Sequence, residues 1–207
     1  GGGKFIIKIT PKHKLGDHNS FVEFIKYLKD QEELDLTKRG SLLAIKGISH
    51  ASMDLLKNRV SERQAKNANY LLNKYNPIEI QIENLESLST GSGITLWTLY
   101  DNLTNVDIPI ILASDSLGQR KIKAEDVGLK AAQKLLNIMD TGACVDSYLA
   151  DQLIPYLALF GGKIKTNEIT NHTKTNIWVV EKFFDKKFKI DKKKKIISSD
   201  LYFDHKI

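Results

Sequence analysis

The chain is expected to fold as an α+β protein made of small sheet-and-helix units. Two patterns predict this. Apolar residues alternate or cluster in short segments near residues 5–9, 41–45, 78–82, 94–100 and 108–113, and they recur at helical spacing over 53–75, 123–139 and 145–154. Their order is the third observation: residues 38–137 read strand, helix, strand, strand, strand, helix, which suffices for one sheet covered by two helices. That stretch is expected to be an inserted domain. Residues 1–37 and 138–207 would then form a second, discontinuous unit around it.

Each element has its own reason. Phe5, Ile7 and Ile9 share one face of an extended segment that Pro11 ends, so an opening strand is expected. Phe21, Phe24, Ile25 and Leu28 have helical spacing between residues 17 and 36, with Ser20 as the expected cap and Glu23 three residues later. Residues 41–45 form a compact apolar strand that Gly47 is expected to end, leaving His50 free to cap the next helix. Met53, Leu56, Val60, Ala68, Leu71, Leu72 and Tyr75 form one broad stripe, so a single helix is expected to run to Asn76 and Pro77. Three strands follow, the first two joined by a loop over 87–93 that is rich in serine and glycine. Val127, Ala131, Leu135 and Ile138 then mark the buried side of a second long helix.

Composition narrows the class of protein. The 207 residues are 42% hydrophobic, enough for a packed core, and contain no apolar run long enough to span a bilayer. No membrane partner and a cytoplasmic location are expected. The one cysteine, Cys144, cannot form an internal disulfide. A formal charge of +6 mildly favours a polyanionic partner such as nucleic acid, although Lys186, Lys187 and Lys192 to Lys195 are expected in a solvated tail.

The chemistry-bearing residues lie late in the chain. Val145, Leu149 and Leu153 recur every four residues, so a helix is expected over 145–154, with Pro155 ending or bending it. On that helix Tyr148, Asp151 and Gln152 fall together, and such a set can stack on a base and hydrogen-bond its edge or a ribose. The same spacing equally suits a packed tyrosine beside two solvated polar groups. His172 precedes Ile177, Val179, Val180 and Phe184, which have the spacing of another helix. At a helix start the dipole favours a neutral imidazole able to attack, and free amides suit an incoming phosphate. A surface or capping histidine has the same signature. Gly1, Gly2 and Gly3 allow close backbone approach to a ligand, or are a remnant of no consequence. Neither a Gly-Lys-Ser/Thr phosphate loop nor a strand-to-helix Gly-x-Gly-x-x-Gly is present.

Six ordered elements resemble the RNA 3′-terminal phosphate cyclases. They are the glycine triplet with its strand, Arg39-Gly40, Gly47 to His50, the pair of elements Gly142 to Asp146 and Leu149 to Leu153, and His172 to Asn176. The resemblance covers all but the lysine-rich end and the helical segment over 17–36. It implies repeated sheet-plus-two-helices units with a smaller inserted α/β domain. It further implies that ATP adenylylates His172, that Tyr148, Asp151 and Gln152 lie near the adenosine, and that Thr175, Asn176 and Gly1 to Gly3 support the site. The adenylyl group would pass to an RNA 3′-terminal phosphate, which closes to a 2′,3′-cyclic phosphate. A divalent metal, Mg²⁺ or Mn²⁺, would offset the triphosphate charge, with ligands unknown. The family signature begins before the triplet, so the resemblance implies a fragment whose missing amino-terminal portion supplies the remaining phosphate and metal contacts, and which alone is inactive or weakly active. Two other functions stay open: the family's non-catalytic branch, which assists ribosome assembly but lacks the histidine, and a generic basic RNA-binding module.

Overall fold

A computed structural model describes residues 6–11, 16–30, 33–103, 108–184 and 186–200. The fold is α+β, with two four-stranded sheets and two α-helices packed against each. The first sheet is built from β2 (Leu42–Ser52), β3 (Ile78–Leu85), β4 (Ser92–Tyr100) and β5 (Ile110–Leu117) in the order β3-β2-β4-β5. β2 and β3 are parallel, because α2 (Val60–Leu72) crosses between them; β4 and β5 are antiparallel to their neighbours. α3 (Ala124–Asp140) packs beside α2 on the same sheet.

The second sheet takes β1 (Asp35–Leu36), β6 (Gly162–Lys165), β7 (Lys189–Asp191) and β8 (Ile196–Ser199) in the order β1-β6-β8-β7. Its helices are α4 (Ser147–Phe160) and α5 (Asn171–Phe184). One buried cluster runs through both units, from Ile45, Leu96 and Leu112 to Ile154, Leu157, Ile164 and Ile197. Arg39 pins the junction: its guanidinium donates to the carbonyls of Met139 and Ala143 at 2.6 and 2.7 Å and lies over the Tyr100 ring.

The structure departs from the sequence expectations in several places. Residues 6–11 form no strand and pair with none of the described strands, and Ile6, Ile7 and Ile9 are exposed, so alternation alone did not find a partner for this segment. The early helix is α1 (His18–Lys29), shorter than residues 17–36, and its cap is Asp17 rather than Ser20. Asp17 Oδ1 accepts from Ser20 N at 2.8 Å while Ser20 Oγ accepts from Asp17 N, a capping box one turn earlier than expected. Gly47 does not end a strand but sits inside β2, where a Cβ would come within 2.7 Å of Leu96 Cδ2 and 2.9 Å of Thr95 O. His50 is consequently a strand residue and caps no helix.

The stripe beginning at Met53 is two elements. A 3₁₀ helix over Met53–Asn58 ends at Arg59, whose left-handed backbone (φ 50°) turns the chain into α2. α4 starts at Ser147 and continues through Pro155 to Phe160; its buried face is Ala150, Ile154, Leu157 and Ala158, while Val145 is buried just ahead of the helix, Leu153 is partly buried and Leu149 is exposed. The lysine run is no free tail: Lys192 to Lys195 form the turn of the β7–β8 hairpin, and Lys195 Nζ donates to Asn167 O at 2.6 Å.

Candidate functional site

Those site residues predicted from sequence that fall among the described residues lie on α4 and α5, which form one helical layer over the second sheet. Their directions follow from three contacts. Val145 pairs with Thr166 in a parallel bridge ahead of the helices, Asn176 Nδ2 donates to Asp151 O at 3.0 Å, and Lys186 Nζ donates to Ala158 O at 3.2 Å. Rising numbers on one helix meet rising numbers on the other, so α4 and α5 run parallel. Their amino termini open at the same end of the layer.

Each terminus is capped differently. Asp146 Oδ1 accepts from Tyr148 N and Leu149 N at 3.1 and 2.8 Å, so a nearly buried carboxylate caps α4. Its Oδ2 also accepts from Ala113 N at 3.3 Å, tying the helix start to β5. Thr170 Oγ1 accepts from Thr173 N at 3.1 Å and caps α5 with a neutral group. The first amides of a helix lack intrahelical acceptors and carry partial positive charge. A fixed carboxylate already satisfies and offsets those of α4, whereas the α5 end keeps its field for an external anion. His172 is the second residue of α5 and is exposed there.

The buried face of α5 is Thr173, Ile177 and Val180, which turns His172 and Thr175 to solvent. Tyr148, 69% exposed, and Gln152 face outward from α4, while Asp151 is half-buried. Asp151 and Asn176 are in direct contact through the carbonyl of the first and the amide of the second. His172 lies one turn before Asn176 and Tyr148 one turn before Asp151, so both belong to the shared amino-terminal end. Gly1, Gly2 and Gly3 fall outside the described residues. Among the described residues no group of three or more His, Cys, Asp or Glu side chains is arranged to hold a metal ion.

Sequence periodicity does not single out Asp146 or Thr170, yet both order the site. The signal was present for Asp146, an Asp placed directly before an apolar helical run. For Thr170 the reciprocal partner is Thr173, with hydroxyls 3.0 Å apart, a pairing that spacing alone leaves indistinct.

Residues 1–190 match the family model described as RNA 3′-terminal phosphate cyclase. The chain is 46% identical over 187 residues to the RNA 3′-terminal phosphate cyclase of Pyrococcus abyssi, covering 89% of this chain and 52% of that protein. It is 44% identical over 168 residues to the protein of that name from Pyrococcus furiosus, covering 81% and 46%. Against the Methanosarcina barkeri protein the identity is 44% over 195 residues, covering 93% and 49%. The chain therefore spans about half the length of the curated relatives it matches.

Proposed function

This chain belongs to the RNA 3′-terminal phosphate cyclase family, and on that basis we propose that it carries the nucleotide-activating site of an RNA cyclase. In this reading an imidazole nitrogen of His172 attacks the α-phosphorus of ATP. A nitrogen–phosphorus bond forms, pyrophosphate leaves, and AMP remains on the histidine. An oxygen of the RNA 3′-phosphate then displaces the histidine. Finally the neighbouring 2′-hydroxyl attacks that activated phosphate, AMP departs, and a 2′,3′-cyclic phosphate results.

The observation that carries this reading is the direct contact between Asp151 and Asn176, which sets His172 and Tyr148 at one solvent-open end. Tyr148 offers an exposed ring for stacking on adenine, and Asp151 and Gln152 offer acceptors and donors for the base edge or ribose. The amino terminus of α5 favours the phosphate that His172 would attack. A divalent metal would neutralise triphosphate charge. Among the described residues no group of three or more His, Cys, Asp or Glu side chains is arranged to hold it.

The test supplies ATP labelled at the α-phosphate, with Mn²⁺, to the intact polypeptide that carries this chain. Protein-bound label that is stable to alkali and lost in acid is expected, as for a phosphoramidate. His172→Ala should abolish it. Label persisting in that variant would remove His172 from the nucleophile's role.

A further inference from the structure

We infer that Asn176 is a positioning residue whose side chain clamps the histidine-bearing helix to the nucleotide-binding helix through a carbonyl that Pro155 leaves free. This rests on the adenylylation reading above and deepens it. In a regular helix the carbonyl of Asp151 would accept from the amide of residue 155. That residue is Pro155, inside α4, which has no N–H to give and whose ring crowds the carbonyl four residues back. An acceptor left over in a half-buried position costs free energy unless another donor reaches it.

Asn176 Nδ2 reaches it at 3.0 Å. Because a carbonyl can only accept, this contact also fixes the amide orientation of Asn176, with its nitrogen toward α4. The two ends of the bond are placed for the chemistry. Asp151 is flanked by Tyr148 and Gln152 on one helix; His172 is one turn from Asn176 on the other, and both side chains leave α5 on the same side. A proline that would ordinarily weaken a helix thus presents an attachment point, and the bond sets how far along α4 the imidazole stands. Asn176 itself need not touch the nucleotide.

Four forms of the intact polypeptide separate this from a merely structural contact: the parent, Asn176→Ala, Pro155→Ala and the double variant. Three quantities are read: the labelling rate at saturating ATP, the Kd for AMP, and hydrogen exchange over the α4 and α5 segments. Asn176→Ala should slow labelling by about 100-fold, the scale of an ångström's misplacement of reacting groups. AMP affinity should change by no more than about three-fold, since the pocket residues stay on α4. Exchange across the two helices should rise about ten-fold.

In the Pro155→Ala background the restored backbone N–H reclaims the Asp151 carbonyl. The exchange penalty of removing Asn176 should then shrink to about two-fold, while labelling stays slow because the inter-helix tie is still gone. Labelling by Asn176→Ala within about two-fold of the parent would overturn the positioning role. Equal exchange penalties in the two backgrounds would show that the proline-freed carbonyl is not the partner, and would overturn the clamp. An unlabelled parent is a different result: it would overturn the adenylylation reading and the positioning role with it, leaving the exchange comparison to decide the clamp alone.

Discussion

Individual side chains in this chain do work that their type does not announce. Arg63 and Glu125 join α2 to α3 through two hydrogen bonds of 2.7 Å, from Nε and Nη2 to the two carboxylate oxygens. The Arg63 hydrogen bond, helped by Glu125's own first-turn backbone amide, holds the carboxyl at about 2 against a usual 4.5. A carboxylate with a depressed folded pKa adds stability that is complete above about pH 4.5 and lost as the pH falls toward about 2. The thermal midpoint should therefore decline through that window. In Glu125→Gln the decline should be shallower, and an unchanged acid profile would show that the pair contributes nothing. Both side chains are solvent-accessible, so screening keeps the effect small, and added salt should reduce it further.

At the scale of elements, close approach between helices decides more than helix propensity does. α2 and α3 meet at Gly128, where a Cβ would stand 2.1 Å from the carbonyl oxygen of Gln64. Gln64 is fully buried and held in a chain of side chains: it accepts from Ser49 Oγ at 3.0 Å and donates to Ser92 Oγ at 3.0 Å. That network cannot shift aside without breaking bonds on β2 and β4. Gly128→Ala is expected to cost about 1–3 kcal/mol, read as a lower denaturant midpoint. Gly91→Ala is the control, because nothing lies within 4 Å of its would-be Cβ and its backbone has no positive φ. Equal effects of the two substitutions would discredit the close-packing account.

The molecule as a whole spans about half the length of relatives that share its family, and its layer of α4 and α5 presents Tyr148, Tyr156, Trp178 and Phe183 to solvent. The relatives it matches are about twice as long. This chain by itself is expected to take up label from ATP at least about ten-fold more slowly than a full-length relative, since reacting groups must be held together to within an ångström. Comparable labelling by the two would place every necessary group within these 207 residues. A generic basic RNA binder would instead show RNA affinity that falls steeply with salt and ignores both ATP and the terminal phosphate.

The α+β class, the order of most elements and the family were legible in the sequence, because hydrophobic period and motif spacing are local properties of the chain. Short apolar segments located β3, β4 and β5, and helical spacing located α3 and the starts of both site helices, although α4 runs on past its expected end to Phe160. Local patterns could not decide where an extended segment finds a partner, so residues 6–9 read as a strand and are unpaired in the structure. Nor could they show that α4 passes through Pro155, since the donor that compensates the missing N–H comes from Asn176, 21 positions downstream. That bond, the parallel run of α4 and α5 and the shared opening of their amino termini arise only when distant segments pack. Spacing can nominate Tyr148, Asp151, Gln152 and His172; packing between distant segments determines which of them stand at one end of the same layer.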